Sequence, residues 1–338
     1  MKAAVVSEAF AAQGIDEVLV HTGQHYDANM AQIFFDELGI PRPATNLDVR
    51  SGTHAAQTGA ALIGIEQFLV EHPVDGVVVY GDTNSTLAGA LAAVKLGIPV
   101  AHIEAGLRSD NRAMPEEINR IATDRISRWL FCPTHHAVTR LKQEGITSGV
   151  VFSGDVMLDA TRRFAQHAEA QVNIDDVHPV AKGAYMLATI HRPQNTDFPE
   201  QLSSIFQGLG ELDTPVLMPL HPRTRARLGA IKIPKSVHLI PPLSYLSMLK
   251  LVNHAQAVIT DSGGLQKEAY WLGVPCITIR QETEWLETLE GGWNQLVAAD
   301  ATAIVQAARH RPTAEQAPFG EAKRPASELI ATHLLKEI

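Results

Sequence analysis

The stretch Val77–Arg108, VVVYGDTNSTLAGALAAVKLGIPVAHIEAGLR, constrains the fold more than any other part of the chain. It reads as strand, loop, helix, strand, loop. Val77–Tyr80 is an unbroken β-branched and aromatic run, as in a strand buried on both faces. Gly81–Thr86 turns the chain and offers Asp, Ser and Thr as helix caps. Leu87–Leu96 is rich in Ala and Leu and is predicted helical, with Gly97 as its stop. Ile98–Ile103 is predicted to be the next strand. Asp82 and Glu104 therefore fall just past the carboxyl ends of two successive strands, the edge at which open parallel sheets bind ligands. Asp82 as a helix cap and Glu104 as a loop charge is the alternative. Two acids in corresponding positions favour a site.

The rest of the chain repeats this alternation, so we expect an α/β protein. Residues 2–13 are predicted helical, and Glu17–His21 a strand. A doubly wound domain normally opens with a strand and its phosphate-binding turn, so this beginning is unusual. Thr22–Asp27 is a polar loop, open to a ligand or to solvent, and Asn29–Leu38 reads as a helix. Ser51–His54 caps a helix running to about Glu71. Arg108–Met114 is loop-like, and Pro115 suits a first helical turn. Ile118, Ile121, Ala122, Ile126, Trp129 and Leu130 suggest an apolar stripe at helical spacing. Glu116 and Arg120 lie off it at i, i+4, where they can pair. A first-turn acid favoured by the helix dipole is the other account of Glu116. Phe131–Pro133 and Val150–Gly154 read as short strands, Asp159 to about Glu169 as a helix, and Gln171–Gly183 as a linker.

In the second half Ala184–Ile190 is predicted to be a strand ending in His191, and Phe198–Leu212 a helix. Pro215–Leu220 is a strand ending in His221, Val237–Ile240 a further strand, and Tyr245–Asn253 a helix. Ala257–Thr260 leads as a buried strand into Asp261-Ser262-Gly263-Gly264, followed by a helix over Leu265–Leu272. Strand, Ser-Gly-Gly, helix is the construction of an anion site. Glycines let backbone N–H groups approach a phosphate, and the helix N-terminus supplies positive potential. Glu268, one turn in, could accept from ribose hydroxyls, and Arg280 follows the next strand. Ser327–Ile338 is predicted to be a terminal amphipathic helix.

A chain of 338 residues favours two domains. We place them at 1–170, carrying carboxylates, and 171–320, carrying phosphate and ribose groups, with the helix 327–338 returning to the first. A cleft between them, holding a nucleotide-activated substrate, is expected. A net charge of −9 makes nucleic acid and anionic membranes poor partners. The sequence has no apolar run long enough to span a bilayer, and Glu8 interrupts the only candidate signal peptide. Cys132 and Cys276 suit reduced core thiols in a cytoplasmic protein.

The motifs GDTNST, HIEAGLR, MPEEINR, HRPQN, HPRT and DSGGLQKEA closely resemble those of the non-hydrolysing UDP-N-acetylglucosamine 2-epimerases, in register from Lys2 to about Gly320. The resemblance implies GT-B architecture, two Rossmann-like domains with parallel sheets. It also implies inversion of C2 of UDP-GlcNAc to give UDP-ManNAc, supplying sugars for surface polysaccharide, with no metal, no cofactor and a homodimeric assembly. In that chemistry UDP is eliminated to leave 2-acetamidoglucal and re-added after the proton returns on the other face. Carried over by motif, Asp82, Glu104, Glu116 and His191 are catalytic. Lys2, His221, Ser262, Gly263, Gly264, Glu268 and Arg280 bind substrate. The family's opening strand and its Gly-Thr-Arg-Pro turn do not precede Lys2, so Met1 is expected to stand within the family's first helix. Gln24 matches one position of an allosteric UDP-GlcNAc site, while Tyr26-Asp27 and Ser51–His54 depart from it. TGQHYDANM, SGTHAAQTG and ETEW resemble a subgroup that includes epimerases of UDP-2,3-diacetamido-2,3-dideoxy-glucuronate. A GT-B glycosyltransferase, or a UDP-sugar sensor without activity, are the competing readings. The acid cluster argues against the transferase.

Overall fold

The computed structural model describes residues 1–23, 35, 37–178, 184–229 and 231–338. The loop over Gln24–Asp27, nearly all of the expected helix Asn29–Leu38 and part of the expected linker lie outside them. Two compact units are formed, Met1–Ala160 with Gly320–Ile338, and Thr161–Phe319. The division lies within the helix Val156–Gln171, before the boundary drawn from the sequence at 170. No helix among the described residues is long and apolar enough to cross a membrane.

In the first unit β1 (Val20–His21) pairs with β2 (Thr45–Asn46), and β3 (Val77–Tyr80), β4 (Val100–Ile103), β5 (Trp129–Cys132) and β6 (Val150–Phe152) form a four-stranded sheet in that order. All of these pairings are parallel. Tyr80 is in register with Ile103, so β3 and β4 end side by side. The helices His54–Glu71 and Asn84–Lys95 cover the sheet with a small-residue face, Ala61, Ala88, Ala90, Ala92 and Ala93, against Val79 and Val100. Small side chains let helix and sheet approach closely, which makes the packing dense. The terminal helix Ala326–Glu337 belongs to this unit. Its first turn is tied down by Asp159, whose carboxylate accepts from Ser327 N and Oγ, both at 2.8 Å.

Two expectations for this unit are corrected. The strand expected from Glu17 is only Val20–His21. The helix Pro115–Ile126 does not bury an apolar stripe: Ile118 is 47% exposed, and Glu117, Asn119, Arg120, Thr123 and Asp124 face inward. Trp129 and Leu130 belong to β5. Apolar periodicity marks the buried face only when the facing surface is apolar, and here that surface is a set of strand ends and polar loops.

The second unit is a six-stranded parallel sheet of β7 (Met186–Thr189), β8 (Val216–Pro219), β9 (Val237–Ile240), β10 (Val258–Thr260), β11 (Cys276–Ile279) and β12 (Asn294–Val297). Their spatial order is β9-β8-β7-β10-β11-β12. Counted within the unit this is 3-2-1-4-5-6, the doubly wound order. Alternate residues of each strand feed two cores. Met186, Ala188, Val216, Met218, Ile259, Ile277 and Ile279 face one, and Leu187, Leu217, Val258 and Cys276 the other, as the two-residue repeat of a strand requires. Strand order reverses between β7 and β10. The loops that follow these two strands carry His191 and Ser262.

Candidate active site

The ends of β3 and β4 bring Asp82 and Glu104 to one edge, and Glu116 opens the helix Pro115–Ile126 whose Arg120 pairs with Asp82. Thr83 rather than Asp82 caps the helix Asn84–Lys95, in a reciprocal bond with Thr86. That helix starts earlier than the sequence indicates. Relieved of capping, Asp82 turns its Oδ2 to Arg120, accepting from Nε at 2.9 Å and Nη2 at 2.6 Å. Asn119 Nδ2 donates to the Asp82 carbonyl at 2.9 Å. Arg120 therefore pairs with Asp82 and with Glu117, at 3.0 Å, in place of the Glu116 expected from spacing. Glu117, fully buried, is spent on the loop before it, where it accepts from Ser109 N and Oγ and from Asp110 N. The half-buried Glu116 side chain makes no hydrogen bond or ion pair among the described residues.

Glu104 follows β4 in a left-handed backbone conformation, φ +75°. Such strain costs about 1–3 kcal/mol and persists only where the surroundings impose it. Here Glu104 N and Ala105 N both donate to Phe131 O, at 3.1 and 3.0 Å, and fix the bend. The bend turns the carboxylate to Lys2, with which it forms an ion pair. Gly81, at φ +64°, stands beside this pair: a Cβ there would lie 3.2 Å from Lys2 Nζ and 3.3 Å from Glu104 Oε2. Lys2, expected among the substrate-binding groups, is thus brought to the acids.

A buried polar chain props this edge from behind. His102, on β4, meets Gly81 O with Nε2 and Asp124 Oδ1 with Nδ1, both at 2.7 Å. Asp124 Oδ2 accepts from Gly106 N at 3.2 Å and Arg108 Nη1 at 2.7 Å. Arg108 also forks onto Glu144 at 2.9 Å from each nitrogen. Burial works to raise the Asp124 carboxyl, but the bonds and charges of His102 and Arg108 outweigh it and hold it below the usual range. His102 therefore ties the turn carrying Asp82 to the strand carrying Glu104.

In the second unit the corresponding edge is built around a buried acid. Asp261 is fully buried and accepts from His191 N at 3.1 and 3.0 Å, Arg192 N at 2.8 Å and Asn195 Nδ2 at 3.0 Å. His191 Nδ1 lies 3.2 Å from the same carboxylate, which orients the ring and leaves Nε2 pointing away from it. The His221 ring centroid is 5.2 Å from that of His191. His221 Nδ1 accepts from Arg223 N at 3.2 Å and caps the short helix Pro222–Arg227. Burial, followed by the charges of His191 and Arg223, lowers the His221 pKa and favours the neutral ring that this cap needs.

Ser262 caps the helix Gly263–Trp271 through its hydroxyl, accepting from Leu265 N at 3.4 Å. The helix begins two residues earlier than the sequence indicates, so Gly263 and Gly264 form its first turn. Neither has a positive φ, so glycine is required there for access and not for conformation. A Cβ on Gly264 would meet nothing within 4 Å, whereas one on Gly263 would lie 3.8 Å from Arg192 Nη2 and 3.8 Å from Arg280 Nη1. The result is an open helix N-terminus flanked by two guanidinium groups at a topological switch point, a ready anion site. Arg280 is itself held by Glu284 at 3.0 and 3.1 Å. Glu268 is buried and accepts from Tyr245 OH at 2.9 Å through Oε1. Burial, the largest influence, raises its carboxyl above the usual range.

The model of the UDP-N-acetylglucosamine 2-epimerase family matches residues 8–333. The chain belongs to this family. Among similar members is the UDP-2,3-diacetamido-2,3-dideoxy-D-glucuronate 2-epimerase of Pseudomonas aeruginosa, 49% identical over 316 residues, 91% of this chain and 88% of the relative. The UDP-N-acetylglucosamine 2-epimerase of Methanocaldococcus jannaschii is 43% identical over 339 residues, 96% of this chain and 93% of the relative. A crystal structure of the M. jannaschii UDP-GlcNAc 2-epimerase in complex with UDP-GlcNAc and UDP superposes with a TM-score of 0.91 at 41% identity, covering 99% of this chain and 96% of that one. As a family member the chain is an isomerase, and its two Rossmann-like units are those of the GT-B class.

Within this epimerase fold, three positioning groups went unread in the sequence. Asp261 stands in the DSGG motif, but only the Ser-Gly-Gly was assigned a role. His102 and Asp124 were passed over in a strand and a helix. The available signal was a polar side chain inside an apolar run: His102 interrupts VAHI, all four of whose residues are buried.

Proposed function

We propose that the protein inverts C2 of UDP-N-acetylglucosamine by eliminating UDP and adding it back. The observation that carries this reading is the open Ser262–Gly264 helix N-terminus at the switch point, flanked by Arg192 and Arg280, in a chain of this family. The second unit holds the nucleotide: Ser262, Gly263, Gly264, His221 and Arg280 take the phosphates. Glu268 takes the ribose through Oε2, the oxygen that Tyr245 leaves aside. The first unit supplies acids and bases. C2–H is not acidic, so breaking the anomeric C–O bond leads, and positive charge builds at C1. Asp82, Glu104 and Glu116 stabilise that charge, remove the C2 proton and return it on the opposite face. His191 assists departure of the β-phosphate, and Lys2 fixes the Glu104 carboxylate. After reprotonation at C2, UDP re-forms the C1–O bond and the atoms balance.

The enzyme works in a reducing compartment, the cytoplasm, as a homodimer that makes activated sugars for polysaccharide. Support for the compartment comes from two free, buried cysteines. Burial pushes the Cys276 thiol up to about 12, which keeps it protonated and inert. The test is proton NMR of UDP-GlcNAc with the enzyme in D2O. Deuterium entering C2, with free UDP formed transiently, is the expected result. A C2 proton that survives prolonged incubation while UDP binds overturns it.

A second reading is favoured by the 49% identity to the P. aeruginosa enzyme: the same chemistry on UDP-2,3-diacetamido-2,3-dideoxy-glucuronate. Comparing kcat/KM for the two nucleotide sugars decides between them.

A further inference from the structure

Trp285 stands at the anion-binding edge of the second unit with an indole N–H that has no acceptor among the described residues. The side chain is only 5% exposed. Its backbone is pinned, N donating to Thr283 Oγ1 at 3.1 Å and O accepting from Thr288 Oγ1 at 2.7 Å. Two other tryptophans of the unit give their N–H to carbonyls: Trp271 to Phe319 at 3.1 Å and Trp293 to Ala314 at 2.9 Å. An indole N–H that its own unit leaves without an acceptor is open to a ligand as its partner.

The surroundings say what that partner is. Trp285 Nε1 lies 4.0 Å from the point where a Gly263 Cβ would stand, and Arg192 Nη2 and Arg280 Nη1 lie 3.8 Å from the same point. Three N–H donors of a single kind of polarity thus converge beside a helix N-terminus, on space that a glycine leaves clear. The fully buried Lys267 places its Nζ 3.6 Å from the indole ring centroid. A cation on the face of the ring draws density from it and strengthens the N–H as a donor. A neutral carbonyl would satisfy one donor. An anionic oxygen satisfies the set.

We propose that Trp285 is a substrate-binding residue that donates its indole N–H to an anionic oxygen of the bound nucleotide sugar. This rests on the nucleotide-sugar reading given above. The oxygen belongs either to the pyrophosphate or to a carboxylate on the sugar. The two sources share one chemistry, and the test separates them.

Trp285→Phe keeps the ring against Lys267 and removes the N–H. Wild type and variant are compared for UDP affinity by calorimetry, and for kcat and KM with UDP-GlcNAc and with UDP-2,3-diacetamido-2,3-dideoxy-glucuronate. A hydrogen bond to a charged oxygen predicts a loss of roughly tenfold or more. If the oxygen is the pyrophosphate's, UDP affinity and both KM values suffer alike. If it is the sugar carboxylate's, only the uronate suffers. All three unchanged within about twofold overturns the proposal. Wild-type protein carrying 15N-indole tryptophan provides a second measurement that does not depend on the variant folding. The Trp285 N–H resonance, assigned by replacing Trp129, Trp271 and Trp293 in turn, moves downfield on addition of UDP or of the uronate nucleotide. No movement with either, in protein that binds both, overturns the inference alone. Wild type that binds no UDP overturns the nucleotide-sugar reading, and the inference with it.

Discussion

At the ends of β3 and β4 each strand-end acid is paired with a base: Glu104 with Lys2, and Asp82 with Arg120. At the ends of β7 and β10 the arrangement differs. Asp261 is buried beneath His191, Arg192 and Asn195, and guanidinium groups flank a bare helix N-terminus. Both edges use buried charged groups to fix what stands at the strand ends. The first presents acids, as a site of proton transfer and of a developing cation requires. The second presents donors, as a phosphate requires. The difference teaches that the counter-ion behind a strand end, as much as the residue at its tip, decides what that edge does.

The largest expected effect comes from breaking the acid edge alone. Asp82→Asn and Glu104→Gln each lower C2 deuterium exchange by about 10²–10⁴-fold while UDP affinity, measured by calorimetry, stays within about threefold. Equal loss of both would merge the two edges into one function and refute the division. Breaking the support of the donor edge comes next. Asp261→Asn leaves three inward-facing N–H groups without a carboxylate, so it destabilises the protein by about 2–4 kcal/mol in urea titrations and weakens UDP binding. Exchange activity that returns fully at saturating substrate would show that Asp261 serves binding only.

Gly264→Ala sharpens the comparison with a smaller change. The Cβ meets no protein atom, and alanine favours a helix over glycine by about 0.5–1 kcal/mol. The melting temperature should hold or rise while UDP affinity falls roughly tenfold, because the methyl takes the phosphate's space. A variant that binds UDP normally would put the phosphate elsewhere.

The smallest effect concerns pH. His221 has a lowered pKa, chiefly from burial and then from His191 and Arg223. Its folded state binds fewer protons than its unfolded state. Its contribution is therefore complete above the ordinary histidine value, about 6.5, and is lost as pH falls through the lower folded value. Wild type should show a shallow loss of melting temperature below about pH 6.5, which His221→Asn, a cap that does not titrate, flattens. An unchanged slope would remove His221 from the set of groups tuned at this edge.

Much of this was legible in the chain itself. Continuous apolar runs such as VVVY and VPCITI mark strands, although only Val79 of VVVY is buried, and glycine stops and Ser/Thr caps mark the helices between them. From this local chemistry follow an α/β chain, the placing of Asp82, Glu104, His191 and Ser262 at strand ends, and the resemblance of six collinear motifs. Helix starts were misjudged by two or three residues at Thr83 and Ser262, because a cap is defined by a bond to a later N–H and not by residue type alone. Tertiary structure alone decided which of Glu116 and Glu117 is buried, that Arg120 reaches Asp82, that the helix Pro115–Ile126 turns its polar face inward, and that Asp261 and the His102–Asp124 pair brace the two edges. These choices depend on partners distant in sequence. A polar side chain goes inside only where the rest of the fold supplies the donors and acceptors that repay its desolvation, and no local pattern carries that information.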